Sequence, residues 1–97
     1  MSTVIKPLVA MFAVGQVRAT PGVLEKIDED DFFNCFVRHL AGNWGDLDEH
    51  DWKANDAALE HGFRLTSVYH EGGVWFCIVT EQDRSVTNVR LPDEVTP

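Results

Sequence analysis

The side chains with the greatest chemical reactivity are the cysteines and histidines, and their spacing decides what they can do. Cys35 and His39 are four positions apart, which places both side chains on one side of a helix. Thiolate and imidazole are zinc ligands, but a zinc site uses at least three protein ligands. The remaining histidines, His50, His61 and His70, show no matching spacing. We therefore predict no metal and no cofactor, and a buried thiol beside a surface imidazole.

Nucleophilic catalysis requires a serine, threonine or cysteine beside a positioned base. Cys77 lies in an apolar run typical of a central strand, and Ser85 lies in a polar turn with no histidine nearby in the sequence. The chain contains no nucleophile elbow, phosphate-binding loop or metalloprotease helix. We predict that the protein is not an enzyme, with catalysis by Cys35 or Cys77 as a minor alternative. Both cysteines lie within apolar patterns, which predicts buried, reduced thiols.

Acidic residues dominate the middle of the chain. Residues 25–60 contain eleven acidic and three basic side chains, whereas the rest contains five of each, so the whole net charge of −8 belongs to that segment. Such a surface repels phosphates, which disfavours direct binding of nucleic acid. It is either a solvated face or an imitation of a phosphate backbone that occupies a basic groove on a nucleic-acid-binding protein. In the second interpretation the partner-binding residues are Asp28, Glu29, Asp30, Asp31, Asp46, Asp48, Glu49 and Asp51.

Two short loops are further candidates for partner binding. Trp44, with a glycine on either side in the segment 42–45, is either an exposed anchor or a core side chain whose indole N–H bonds a carbonyl. In the segment 81–85, Asp83 is expected to accept backbone amides in a tight turn from which Arg84 projects. Arg84 is then either a recognition residue or a partner of Glu81 or of a carboxylate on the acidic helices.

The hydrophobic pattern predicts the elements that position these residues. A strand is predicted at 11–19, and a short helix begins with Thr20 as its cap and Pro21 in its first turn. A third helix begins at Asp48 and stops at Gly62. Between them, a second helix carries an apolar stripe and ends near Gly42; the stripe consists of Phe32, Phe33, Phe36, Val37 and Leu40.

Beyond residue 62 the hydrophobic period changes to two. Strands are predicted at 63–69, 74–81 and 86–91, and the middle one is apolar on both faces, as in a central strand. The order is one strand, two to three helices and a three-stranded meander. It predicts an α+β fold: a small antiparallel sheet with helices packed on one face. The chain is one domain, residues 1–97, with an ordered core over 8–92 and frayed termini.

The apolar runs are far shorter than the roughly 20 residues that a membrane span requires. The N-terminal segment also lacks the pattern of a signal peptide. We predict a cytoplasmic protein without membrane contact.

Four segments together resemble one protein family: 15–22 (GQVRATPG), 38–47 (RHLAGNWGDL), 55–65 (NDAALEHGFRL) and 80–87 (TEQDRSVT). Over residues 12–92 the chain resembles short uncharacterised bacterial proteins encoded on plasmids and integrated mobile elements, sometimes labelled plasmid-related proteins. It departs from that pattern at 91–97, where an acidic pair followed by an aromatic residue is expected. The resemblance implies a mobile-element setting, plasmid or phage, and no particular activity.

These observations support three hypotheses. In the first, the protein is an acidic, non-enzymatic protein-binding module of a mobile element. Its partner is then a basic nucleic-acid-binding complex, and its role is inhibition of host defence, of the anti-CRISPR or anti-restriction type. In the second, it is an accessory or antitoxin-like regulator that acts through a partner protein or as a homodimer joined by a free sheet edge. In the third it is a small enzyme.

Overall fold

The computed structural model describes residues 10–94, which form three helices and one four-stranded sheet. The predicted lead-in at 1–7, the first two residues of the predicted core and residues 95–97 lie outside this range. The α+β class and the packing of helices on the sheet are confirmed. The longest helix described has 13 residues, and none is long and apolar enough to cross a membrane. The elements in order are β1 (Gln16–Ala19), α1 (Pro21–Lys26), α2 (Glu29–Leu40), α3 (Glu49–His61), β2 (Leu65–Glu71), β3 (Val74–Thr80) and β4 (Val86–Arg90).

The strand order is β1-β4-β3-β2, and the three C-terminal strands form the predicted antiparallel meander. The prediction of an antiparallel sheet is wrong for β1, which runs parallel to β4 with Ala19 opposite Val89. The parallel direction brings the chain to the end of β4, where the Thr20 amide donates to the Val89 carbonyl and α1 begins. A hydrophobic pattern carries no information about strand direction, so the sequence could not reveal this.

Each helix begins at a side chain that accepts a backbone amide. Thr20 accepts from Val23 and Asp48 accepts from Asp51, as predicted, and Asp28 accepts in the same way from Asp30. An N-cap of this kind contributes about 1 kcal/mol to stability. Two of the candidate partner-binding carboxylates, those of Asp28 and Asp48, therefore also have a role in folding.

One face of the sheet carries both hydrophobic clusters. In β2, Leu65, Ser67 and Tyr69 are buried beneath the helices, as the period of two predicted. The main cluster joins strand residues to α1 and α2, and its members are Val23, Ile27, Cys35, Tyr69, Phe76, Ile78, Val89 and Leu91. On the other face of the sheet, Cys77 and Val79 belong to neither cluster. β3 is an inner strand as predicted, but the described helices cover only one of its faces.

The outer edge of β2 is closed by the polypeptide itself. The Asn55 side-chain amide donates to the Thr66 carbonyl at 2.6 Å and accepts from the Thr66 amide at 3.1 Å, which imitates a neighbouring strand. Further along, the Val68 amide donates a hydrogen bond to the Trp44 carbonyl, and the Val68 carbonyl accepts one from the Asp46 amide, so the 44–46 loop lies along this edge. The close approach requires Gly45, since a Cβ there would lie 2.0 Å from the Val68 oxygen. A dimer through a free sheet edge would therefore have to use β1.

Glu94, which lies in the segment predicted to fray, makes several hydrogen bonds to the rest of the fold. Its carboxylate accepts the Thr20 hydroxyl and, at 2.9 Å, the Leu91 amide, while Arg90 donates to its backbone carbonyl at 3.1 Å. The Thr20 hydroxyl and then the Leu91 amide lower the pKa of the Glu94 carboxyl. The carboxylate thus fastens the chain to the start of α1.

Candidate functional site

The candidate acidic residues are solvent-exposed with the exception of the half-buried Asp31. Within the described part of the chain only one of them, Glu49, takes part in an ion pair, at 3.0 Å from the Lys53 amine. Both partners of that pair are highly exposed, so water screens the interaction and it contributes little. The other seven carboxylates take part in no ion pair of the described residues, and six of them are exposed to solvent.

The fold brings the two acidic segments to one end of the domain. Along α2, Cys35 lies near Glu71 and His39 lies near Ser67, so this helix runs antiparallel to β2. Asp46 bonds Val68, Asn55 bonds Thr66 and Ala58 packs with Leu65, so α3 also runs antiparallel to β2. Both N-terminal ends therefore point towards the turn between β2 and β3. We call this acidic end the surface formed by Asp28, Glu29, Asp30, Asp31, Asp46, Asp48, Glu49 and Asp51.

Beside the acidic end, α1 and the first turns of α2 enclose an apolar groove of about 460 Å³. We call it the α1–α2 groove; its lining is Val23, Leu24, Ile27, Glu29 and Phe32. Leu24 is 70% exposed, the highest value among the large apolar side chains described as exposed. Phe33, predicted to belong to the core stripe, is instead 64% exposed. It lies four residues after Glu29 on the same side of α2, which extends the apolar surface along the helix.

His39 lies at the centre of a buried polar network, and the prediction of a surface imidazole is wrong. Its Nδ1 bonds the Ser67 hydroxyl and its Nε2 bonds the Thr80 hydroxyl at 2.9 Å. Thr80 in turn bonds Thr87, which donates to the Val14 carbonyl. Burial, together with the nearby positive charge of Arg84, lowers the pKa of His39 to about 4. The imidazole is therefore neutral at physiological pH.

A serine beside a histidine is the arrangement of a nucleophile and its base, but this pair cannot meet a substrate. Ser67 and His39 are both completely buried, and the third partner is a threonine hydroxyl rather than a carboxylate. Their arrangement fits a structural network in which every polar atom is satisfied. The available sequence signal was the presence of Ser67, Thr80 and Thr87 at inward-facing strand positions, where a hydroxyl requires a partner.

Trp44, a candidate surface anchor, lies in the core. It is completely buried beside His39, and its Nε1 donates to the Asp56 carboxylate at 2.8 Å. Of the two interpretations open from the sequence, the structure supports the core one, with a carboxylate in place of the expected carbonyl. Trp44 can therefore affect partner binding only through the position of the 44–46 loop.

The turn at 81–85 forms as predicted, but Arg84 bonds backbone carbonyls instead of a carboxylate. Asp83 accepts the Ser85 amide at 3.0 Å and the Ser85 hydroxyl, which lower the pKa of its carboxyl. Arg84 has a left-handed backbone with φ of 61°, and its guanidinium donates to the backbone carbonyls of Phe63 and Glu81. It therefore fastens the turn to the connection between α3 and β2. This turn lies at the end of β3 opposite the β2–β3 turn, away from the acidic end.

The cysteines are free and buried, as predicted. Burial, followed by the nearby Glu71 carboxylate, raises the pKa of the Cys35 thiol to about 11. Burial also raises the pKa of the Cys77 thiol. Both groups therefore remain protonated at neutral pH, and a thiol is a weaker nucleophile than a thiolate.

The eight acidic candidates thus lie at the ends of α2 and α3 that point towards the β2–β3 turn, while the other three candidates, Trp44, Asp83 and Arg84, have roles in folding. Across residues 10–94 no three histidine, cysteine or acidic side chains are grouped closely enough to hold a metal ion. Comparisons with protein families, with curated proteins and with solved structures gave no match.

Proposed function

We propose that the chain is a non-enzymatic protein-binding module, acting in the cytoplasm, whose acidic end docks on a basic surface of another protein. The supporting observation is the convergence of two exposed acidic helix starts at one end of the sheet, with seven carboxylates outside any ion pair of the described residues. Like charges at this density oppose compaction, because each carboxylate raises the electrostatic energy of its negatively charged neighbours. A basic partner surface relieves that repulsion.

The preferred partner is a protein whose basic groove normally holds nucleic acid. Such a groove attracts the acidic end over roughly a Debye length, about 10 Å at 0.1 M salt, and the attraction weakens as salt rises. Direct binding of nucleic acid by the acidic end is opposed by the same charges. In the mobile-element setting that the sequence resemblance implies, a host defence complex of the CRISPR or restriction type is the proposed target.

The test is capture of partners from bacterial lysate at low and high salt, with two charge-reversal variants. Glu29→Lys with Asp30→Lys alters the acidic end while leaving the Asp28 cap in place. Glu60→Lys with Asp93→Lys is the matched control, since both residues are exposed, lie outside the acidic end and change the net charge equally. We expect the first variant to lose a salt-sensitive basic partner that the control retains. Equal retention by both variants would rule out the acidic end as the docking surface.

A second candidate function, an accessory or antitoxin-like regulator that forms a homodimer, is favoured by the position of β1. Gln16 and Thr20 donate their amides towards β4, so the alternate residues Val17 and Ala19 direct theirs away from the sheet. A second copy could add a strand there. Light scattering across a range of protein concentrations tests this function. A dimer lost on the substitution Val17→Pro would support it, and a monomer at every concentration would exclude it.

A further inference from the structure

The α1–α2 groove lies beside the acidic end, yet binding by charge alone does not account for its exposed apolar side chains. A surface that only imitates phosphates has no use for exposed apolar side chains, and Leu24 and Phe33 are exposed by 70% and 64%. The floor of the groove is fixed, because Val23 and Ile27 are buried in the main hydrophobic cluster. The site is therefore a formed apolar concavity with one protruding leucine at its wall.

The surroundings of the groove are strongly negative. Residues 25–31 carry five carboxylates and one amine, that of Lys26. Glu29 is itself one of the residues that line the groove, and Asp28 and Asp30 are its exposed neighbours in sequence. Positive charge beside an apolar side chain that enters this groove is therefore favoured, since a flanking carboxylate would meet like charge at close range.

Resting on the proposed function, we infer that the α1–α2 groove takes a basic amphipathic helix of the partner protein. A large apolar side chain of that helix enters the groove, and its lysines or arginines face the carboxylates of the acidic end. An amphipathic helix presents apolar residues at every third or fourth position with charged residues between them, and it binds grooves by this stripe. The apolar contact supplies affinity that persists in salt, while the charges orient the helix and accelerate its association.

The test uses two synthetic peptides as probes. Both contain about 16 residues, roughly four helical turns, and have the same composition of leucine, phenylalanine and lysine. One has the apolar residues on a single helical face, and the other has them scrambled around the helix. Fluorescence anisotropy measures their Kd values at about 0.1 M and 1 M salt, where the Debye length falls from about 10 Å to about 3 Å.

We expect the Kd of the scrambled peptide to be at least roughly ten times that of the amphipathic peptide, because only the amphipathic one buries a large apolar side chain in the groove. This ratio of the two Kd values should be preserved at high salt. Leu24→Gln should reduce the ratio to about one, and Phe33→Gln should reduce it in part. Both side chains are exposed, so folding should be retained, as circular dichroism can verify. Phe63→Gln is the matched control, because Phe63 is 55% exposed and lies outside the groove lining.

Three results would overturn the inference in distinguishable ways. Equal, salt-sensitive binding of both peptides would exclude the groove and leave the acidic end as a surface that binds by charge alone. Binding of neither peptide at low salt would count against the groove and against the proposed function together. A ratio that Leu24→Gln and Phe63→Gln lower equally would also exclude the groove as the site.

Discussion

Acidification from pH 7 to pH 5 should destabilise this protein through His39. His39 is fully buried and neutral, and its pKa is lowered from its ordinary 6.5 to about 4. Between these pH values the unfolded chain takes up a proton that the folded chain excludes. The free energy of unfolding must therefore fall as the pH falls from about 6.5 to about 4, and it should be independent of His39 above this range.

The size of the effect follows from the two pKa values. Between pH 7 and pH 5 linkage predicts a loss of about 2 kcal/mol from His39 alone, against a total stability of roughly 5–15 kcal/mol for a small domain. The lowered pKa values of Asp83 and Glu94 act in a different window. Their stabilising contributions are lost only as the pH falls below the ordinary carboxyl values of 3.8 and 4.5. A measurement that stops at pH 5 therefore isolates the histidine from these two groups.

The assay is urea unfolding at pH 7, 6 and 5, followed by tryptophan fluorescence and circular dichroism, with His39→Gln as the comparison. The glutamine amide can bond Ser67 or Thr80 but has no proton to gain, so its cost at pH 7, about 1–2 kcal/mol, should not grow on acidification. The exposed histidines, His50, His61 and His70, are common to both proteins. Equal losses of stability in the two proteins, within about 0.5 kcal/mol, would refute the assignment of His39 as a buried neutral group.

Two further substitutions test how the edge of β2 is closed. Asn55→Ala should lower the free energy of unfolding by about 2 kcal/mol and speed hydrogen exchange at the Thr66 amide, because both backbone groups of Thr66 lose their partner. The control Lys53→Ala, at an exposed position on the same helix, should lower it by less than about 0.5 kcal/mol in urea unfolding. Gly45→Ala should lower the melting temperature far more than Gly72→Ala. Both residues have positive φ, which costs about 1–2 kcal/mol with a side chain, but only Gly45 has backbone in the path of the new Cβ. Equal melting temperatures for the two glycine variants would contradict the close approach of the 44–46 loop.

The parts of the fold that depend on neighbouring residues were predictable from the sequence. The caps at Thr20 and Asp48 are set by one side chain and an amide three residues later. The burial of alternate residues in β2 follows from the pleat, and the turn at Asp83 follows from the geometry of a short acidic side chain. In each case the physical cause lies within one turn or one strand.

The features that sequence reasoning missed depend on contacts between distant segments. The direction of β1 is decided by where α1 must begin, and the burial of His39 is decided by hydroxyls 28 and 41 residues away. Phe33 has a large apolar side chain of the kind usually found in a core, but it faces solvent because the sheet cannot cover the whole circumference of α2. The convergence of the two acidic segments likewise requires both helices to run antiparallel to β2, which no local pattern specifies.

The pairing of β1 with β4 has a consequence for how the protein is made. Ala19 pairs with Val89, so β1 leaves the ribosome well before β4 and cannot join the sheet until β4 has been made. Contacts of such long sequence separation form slowly, because the loop between them must be ordered first. A nascent chain that stalls before Val86 would contain α1 and α2 but would lack β4, the strand with which β1 pairs. We expect such fragments to be substrates for chaperones and proteases, because the sheet stays incomplete until β4 has been made.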